Sequence, residues 1–312
     1  MRTVFLGTSE FAAAVLERLA ASDHRPALVL SRPDRPRGRG RRLAAPPVAE
    51  RAHALGIALG QPERVNEPDV VEQITQARPD AVVVCAFGAL IKEPLLSAHE
   101  LLNVHPSLLP RWRGAAPIER AIIAGDERTG VSIMRLTAGL DSGPLCLTTA
   151  EPIAPDDTYG SLAVRLQEAG GELLVRALDL IAAGAPPAFA EQDEVGVTYA
   201  EKILPEDRLL DPVRTAAELE RVVRALHPHI GARVALVDGE LLGVHRARVA
   251  AEKTPGEALE VSPGALAAVV GGRLLYGARD RALELLEVQP PGARAMDAEA
   301  YLRGHGQKLS RG

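Results

Sequence analysis

A chain of 312 residues is too long for one average domain and too short for three, since domains usually hold about 100–200 residues, so two are expected. Hydrophobic residues make up 46% and charged residues 25%, with one Trp, which describes a globular chain with aliphatic cores and excludes a disordered or fibrous one. The net charge of −5 argues by itself against a nucleic-acid partner, yet residues 32–42 gather Arg32, Arg35, Arg37, Arg39, Arg41 and Arg42 against one acid, Asp34. Cys85 and Cys146 lie far apart, in no CxxC or Cys/His cluster, which argues against a disulfide framework and against zinc and fits a reducing cytoplasm. The first residues turn polar too soon for a signal peptide, and no run of about 18 apolar residues could span a bilayer, so a cytoplasmic protein with no membrane contact is expected.

In chain order, the apolar run at 3–6, the turn Gly7-Thr8 and the helical spacing of Phe11, Val15, Leu16 and Leu19 predict strand, turn and helix. A strand is predicted at 27–30, helices at 48–55 and 70–76, and a strand buried on both faces in the uninterrupted apolar stretch 81–86. Strands at 101–104 and 131–136, with a helix at 118–123 between them, complete an alternation that predicts a parallel sheet with helices packed on it. An amphipathic pattern from 159 to 183 closes this first domain, and Gly184-Ala185-Pro186-Pro187 stops the helix. After Asp207 the texture changes to a helix at 216–226 and short strands such as 233–237 and 241–244, joined through the hairpin signal Asp238-Gly239. The expected organisation is therefore a first domain at 1–186, a linker at 187–205 and a smaller, mainly β domain at 206–312.

The stretch Asn103-Val104-His105-Pro106 carries the chemistry. Side chains two apart on a strand share a face, so Asn103 and His105 stand side by side, Val104 turns to the core, and Pro106 ends the strand. The carboxyl end of a strand in an open α/β sheet is where ligands bind. A carboxamide beside an imidazole suits acyl transfer, because Asn can stabilise an oxyanion while His exchanges a proton near neutral pH. In Leu140-Asp141-Ser142-Gly143-Pro144, the acid lies in a Gly-containing loop beyond a strand and is expected to hydrogen-bond the imidazole and orient it. On spacing alone each residue reads as structure, the His as an ordinary hydrogen-bonded side chain and the Asp as a turn former. The joint string decides otherwise.

The run NVHPSLLPRWRGAAPI followed by LDSGPL resembles the folate-dependent formyltransferase family. The resemblance implies a Rossmann-like open α/β sheet with Asn103, His105 and Asp141 as the catalytic set. It implies direct attack of an amine on the formyl carbon of 10-formyltetrahydrofolate, the co-substrate, with Asn103 and His105 holding the oxyanion and Asp141 with His105 managing the proton. No metal and no covalent enzyme intermediate are implied. Ser107, Leu108, Leu109 and Pro110 correspond to a folate-contacting stretch, and Phe87, Gly88, Leu90 and Ile91 to another wall of the folate pocket. The family usually carries Tyr where Phe87 stands, which removes one hydroxyl from the pocket without touching the chemistry.

The core motif leaves the acceptor open among glycinamide ribonucleotide, an amino sugar and Met-tRNA. The loop at 31–43 is similar to an element of the tRNA-acting members, and Arg35, Arg37, Arg39, Arg41 and Arg42 suit a phosphate backbone, with Gly38 and Gly40 letting the loop mould to it. A basic loop is ordinarily a solvated charge run; the interleaving of Gly and Arg after the second strand favours RNA. Residues 197–203 and 286–296 are similar to the linker and last strand of the same members, whose smaller domain is an OB-like barrel that helps grip tRNA. Initiator Met-tRNA is thus the expected acceptor, for a protein working as a monomer. Residues 206–312, however, hold equal numbers of basic and acidic residues, so RNA contact there must use one face, with Arg221, Arg224, Arg246 and Arg248 as candidates. His227 and His229 replace a Trp-containing segment of the family and are expected to be structural rather than a metal pair.

Two rival readings stand beside this one. An amino-sugar formyltransferase would not need the arginine loop. A non-catalytic RNA- or nucleotide-binding protein is disfavoured by Val4-Phe5-Leu6-Gly7-Thr8, which lacks the GxGxxG fingerprint, and by the intact Asn103, His105 and Asp141.

Overall fold

Short runs of Val, Leu and Ala without a polar interruption are strands covered on both faces, and they build the centre of the first sheet of the computed structural model. The structure describes residues 1–37, 40, 42–251, 261–269 and 272–309. From the N-terminus it runs β1 (Thr3–Gly7), α1 (Glu10–Ala20), β2 (Pro26–Leu30), β3 (Arg35–Arg37), β4 (Arg42–Ala44), α2 (Pro47–Ala54), β5 (Leu59–Gly60), α3 (Pro68–Gln76), β6 (Ala81–Cys85), α4 (Leu95–Ala98) and β7 (Leu101–His105). It continues with β8 (Arg113–Gly114), α5 (Pro117–Ala124), β9 (Arg128–Arg135), β10 (Leu145–Pro152), α6 (Tyr159–Ala182) and β11 (Tyr199–Ala200). The chain divides into two compact units. The first is Met1–Pro117, Arg128–Pro152 and Ala163–Ala200; the second is Ile118–Glu127, Ile153–Leu162 and Glu201–Gly312.

Seven strands of the first unit form one sheet in the order β10-β9-β7-β6-β1-β2-β5. The five strands from β7 to β5 are parallel, as the alternation of strand and helix predicts. β9 runs antiparallel to β7, and β10 antiparallel to β9, so the sheet is mixed rather than wholly parallel. β10 is absent from the sequence reading because its burial alternates only weakly, as befits a solvated edge strand. Val4, Leu6, Leu28, Leu30, Val82, Val84 and Leu101 meet Val70 and Ile74 of α3 in one buried cluster. Because β1 lies between β6 and β2, the strand order reverses beside it, and the carboxyl ends of β6 and β7 are open to a ligand.

The second unit holds α7 (Ala216–Leu226), β12 (Ala232–Ala235), β13 (Leu241–Val249), β14 (Leu266–Val269), β15 (Arg273–Gly277), β16 (Ala282–Gln289), β17 (Met296–Asp297) and α8 (Ala298–Leu309). Its antiparallel sheet follows the order β12-β13-β16-β15-β14, with β17 also on β16. Among the described residues no pairing joins β12 to β14, so the sheet curls into a half-barrel. The predicted hairpin is present: β12 pairs antiparallel with β13, and Gly239 adopts the positive φ of 84° that its turn needs. Leu219, Val222, Val223 and Leu226 of α7 pack on Leu242, Val244, Leu283 and Leu285 of the sheet.

Thr215 starts α7 through a reciprocal cap. Its hydroxyl accepts from the Glu218 N–H at 3.3 Å, while the Glu218 carboxylate accepts from the Thr215 N–H and hydroxyl, each at 2.7 Å. Those two bonds from Thr215, the hydroxyl first, hold the Glu218 carboxyl below its ordinary value. A depressed carboxylate adds stability that is present above the ordinary carboxylate range and is lost as pH falls from there through the lower value of the folded state. Thr215→Ala should therefore lower the unfolding free energy by about 1 kcal/mol at neutral pH. In urea titrations the gap between variant and parent should narrow as pH falls below about 4, leaving the part due to the bond that the Thr215 hydroxyl accepts from the Glu218 N–H.

Candidate active site

Period-two alternation along β7 does what the sequence implies. Asn103 and His105 are 7% and 4% exposed and line a cavity of about 490 Å³, while the Val104 side chain lies toward Gly170 of α6 on the opposite face. β7 stops at His105. The chain then doubles back, with Ser107 Oγ donating to the Arg111 carbonyl at 2.7 Å. Ser132 of β9, paired with His105 across the sheet, locks this turn: its hydroxyl donates to the Ser107 carbonyl at 2.8 Å and accepts from the Leu109 N–H at 3.2 Å.

The turn delivers the Trp112 carbonyl to the imidazole, and His105 Nε2 donates to it at 2.8 Å. A carbonyl oxygen only accepts, so Nε2 carries the proton and Nδ1 of the neutral ring is the acceptor. Nδ1 lies 3.7 Å from Asp141 Oδ2. The expectation of a direct His105–Asp141 hydrogen bond thus meets a different geometry: Asp141 Oδ2 accepts from the Gly114 N–H at 2.8 Å instead, and the ring is oriented by Trp112. Two acceptors facing each other have no proton to share until the ring gains one.

Of the four non-glycine residues with positive φ among the described residues, Ala86 at 42° and Asp141 at 45° line this cavity, and Trp112 at 65° is the partner of His105. Such backbone is costly and persists where its surroundings impose it. At Gly114, with φ 126°, a Cβ would come within 2.7 Å of the Ala200 carbonyl, so only glycine fits beside Asp141. The loop reaches Asp141 by an unexpected route. Since β9 is antiparallel, it ends opposite Leu102, at the start of β7, and residues 136–141 run back along the cavity to His105.

Phe87, Gly88, Leu90 and Ile91 line the cavity, together with Val84, Leu136 and Leu140. The Phe87 ring is 3% exposed and packs with Val84, Ile91 and Leu95, an environment that suits a ring without a hydroxyl. Ser107, Leu108, Leu109 and Pro110 are not in its wall; they form the turn that carries Trp112, and Leu108 packs against Gly130. The residues that sequence reasoning missed, Trp112, Gly114 and 137–139, contribute backbone rather than side-chain chemistry, so residue type gives little signal for them. Burial pushes the Cys85 thiol far above its ordinary range and Cys146 up to about 11, so neither is a thiolate near neutral pH. Among the described residues no His, Cys, Asp and Glu side chains gather as a metal cluster.

β3 and β4 make the arginine segment a short antiparallel hairpin. Arg35 and Arg42 are exposed, and Arg35 Nη2 pairs with Glu63 Oε2 at 3.0 Å. Arg39 and Arg41 lie outside the described residues, as does the Arg37 side chain. Among the arginine candidates of the second unit, Arg224 bonds Glu220 and the Asp157 carbonyl, Arg221 bonds the Ile123 carbonyl, and Arg248 pairs with Glu284. His229 pairs with Glu119 at 2.9 Å and stacks on Tyr159, while His227 meets His245 edge-on. No helix among the described residues is long and apolar enough to cross a membrane.

Two family models match: formyl transferase over residues 1–178, and formyl transferase, C-terminal domain, over residues 202–306. The chain belongs to the formyl transferase family. The methionyl-tRNA formyltransferase of Halorhodospira halophila is 43% identical over 305 residues, covering 97% of this chain and 96% of its own. That of Symbiobacterium thermophilum is 41% identical over 312 residues, covering 99% and 94%. Kinship over nearly the full length places this chain with the methionyl-tRNA formyltransferases of the family. The fold is shared with HypX from Aquifex aeolicus in complex with tetrahydrofolic acid, at 18% identity and TM-score 0.66; the match covers 100% of this chain, which spans about half of HypX, 48%. Phosphoribosylglycinamide formyltransferase from Bacillus halodurans matches at 26% identity and TM-score 0.51, covering 59% of this chain and 97% of its own.

A Cβ at Gly143 would sit 1.9 Å from the Arg135 carbonyl, so Gly143→Ala must shift the loop that holds Asp141. The variant should lose about 1–3 kcal/mol of stability and about a hundredfold in turnover. Thermal unfolding and steady-state formyl transfer measure the two effects.

Proposed function

We propose that this chain transfers the formyl group of 10-formyltetrahydrofolate to the amino group of methionine on initiator Met-tRNA, giving formylmethionyl-tRNA for translation initiation. The observation that carries the reading is the make-up of one cavity, which brings apolar side chains of Phe87, Leu90, Ile91, Leu136 and Leu140 together with Asn103, His105 and Asp141. Apolar walls and peptide groups at Ala86–Ala89 and Thr137–Gly139 suit a flat heteroaromatic donor with polar edges. The donor supplies a formyl carbonyl on nitrogen.

Charge gathers on the formyl oxygen as the amine attacks, and the Asn103 carboxamide is the neutral donor placed to hold it. His105 Nδ1, free to accept because Nε2–H is committed to Trp112, takes the proton from the attacking amine. The imidazolium so formed then has a donor at Nδ1 and faces Asp141 Oδ2, whose position the Gly114 N–H maintains. Asp141 thereby stabilises the charged ring without accepting its proton. As the oxyanion collapses, the bond from the formyl carbon to the donor nitrogen breaks and the imidazolium returns its proton to that nitrogen. Tetrahydrofolate leaves with the ring neutral again. Direct attack of this kind calls for no metal.

The arginine hairpin, with Arg35, Arg37, Arg39, Arg41 and Arg42, supplies the phosphate contacts to tRNA. Residues 1–186 carry the reacting groups, 187–205 lead on from them, and 206–312 help grip tRNA, in a monomer working in the cytoplasm. His105→Ala should lower turnover by about 10²–10⁴-fold with donor affinity little changed; near-normal turnover removes the ring from the mechanism. Replacing Arg37, Arg39 and Arg41 by Ala should weaken Met-tRNA binding and flatten its log–log salt slope by about 2–3. An unchanged slope in filter-binding titrations would take the hairpin out of the RNA interface.

A further inference from the structure

After α6 the chain returns to the cavity before entering the second unit. Ala190 and Leu145 exchange two backbone hydrogen bonds, at 2.8 and 2.9 Å. Gln192 follows, 8% exposed. Its Nε2 donates to the carbonyls of Asp141 and Gly143, both at 2.8 Å, and its Oε1 accepts from Arg113 Nε at 3.0 Å. Thr198 Oγ1 accepts from the Trp112 N–H at 2.9 Å, and the Thr198 carbonyl accepts from the Arg113 N–H at 2.9 Å. β11 then pairs with β8, and the Ala200 carbonyl accepts from Ala115 and Ala116.

A carboxamide offers two N–H donors and one carbonyl, and Gln192 has a partner for each N–H and for the carbonyl. Its plane is fixed, and with it the backbone on both sides of Ser142, where Asp141 holds its left-handed conformation. Thr198 acts on the other member of the pair. It anchors the N–H of Trp112, the residue whose carbonyl receives His105 Nε2–H. We propose that residues 190–200 form a strap belonging to the catalytic apparatus, with Gln192 the positioning residue for Asp141 and Thr198 the positioning residue for His105 through Trp112. The two family matches end at 178 and begin at 202, so neither spans the strap. The inference rests on the reading of His105 and Asp141 as reacting groups.

The test uses the full chain carrying Gln192→Met, Thr198→Val or Thr198→Ser, with His105→Ala in parallel. Gln192→Met keeps the length and loses the hydrogen bonds; Thr198→Ser keeps the acceptor that Thr198→Val removes. Expected for Gln192→Met and Thr198→Val is a fall in kcat of about 10–100-fold, with KM for donor and Met-tRNA within about twofold. Thr198→Ser should restore turnover, and ¹⁵N resonances of the His105 ring should show one Nε2–H tautomer in the parent and a tautomer mixture in Thr198→Val. Unchanged kcat in both strap variants, or an undisturbed tautomer with normal turnover in Thr198→Val, overturns the proposal. If Gln192→Met does not fold, the Thr198 pair decides. Normal turnover in His105→Ala would instead show that the reacting set is misassigned, which separates that failure from failure of the strap.

Discussion

A carbonyl oxygen cannot donate, and this decides which nitrogen of the His105 ring carries the proton. The bond from His105 Nε2 to the Trp112 carbonyl leaves Nδ1 as the ring's acceptor and turns it toward Asp141. Trp112 can present that carbonyl only by adopting φ 65°, and it does so because the preceding turn is locked from both ends by serines. Ser132 can lock the turn because β9 runs antiparallel to β7 and sets it opposite His105. A feature of sheet topology thus reaches the protonation geometry of one imidazole through three hydrogen-bonded steps.

How much of this was legible in the sequence depends on whether a side chain or a peptide group does the work. Asn103 and His105 were legible because period two is imposed by strand geometry, and Val104 between them faces away as it must. The direction of β9 was not, since Val131, Ile133, Met134 and Leu136 read as a strand whichever way it runs and α5 leaves chain enough for either connection. Asp141 was found, but its partner was misplaced: the bond goes to the peptide N–H of Gly114, which no residue pattern advertises. Ser107 to Pro110 illustrate the same limit, since a distinctive string marks the turn without saying that its hydrogen bonds run to Arg111 and Ser132. Gln192 was invisible because its importance lies in carbonyls far away along the chain.

Charge shows a similar division. Arg221, Arg224, Arg248 and Arg273 of the second unit have partners inside it. Glu284 is 5% exposed; burial pushes its carboxyl up, yet Arg273 and Arg248 together hold it below its ordinary range. Arg224 and Arg221 bind residues of the segments 153–162 and 118–127, which places them among the ties of that unit. Counting cations therefore overstates what such a domain can offer to a polyanion, whereas Arg42 of β4 is exposed.

The strap also decides where this protein can be taken apart. A fragment cut at residue 186 would retain Asn103, His105 and Asp141 but surrender the partners of Trp112, Arg113, Gly143 and the Asp141 backbone. A cut after Ala200 keeps them. Any chimaera that exchanges residues 201–312 for another module has to be spliced there, because the last eleven residues before that joint are woven into the first unit even though they follow α6.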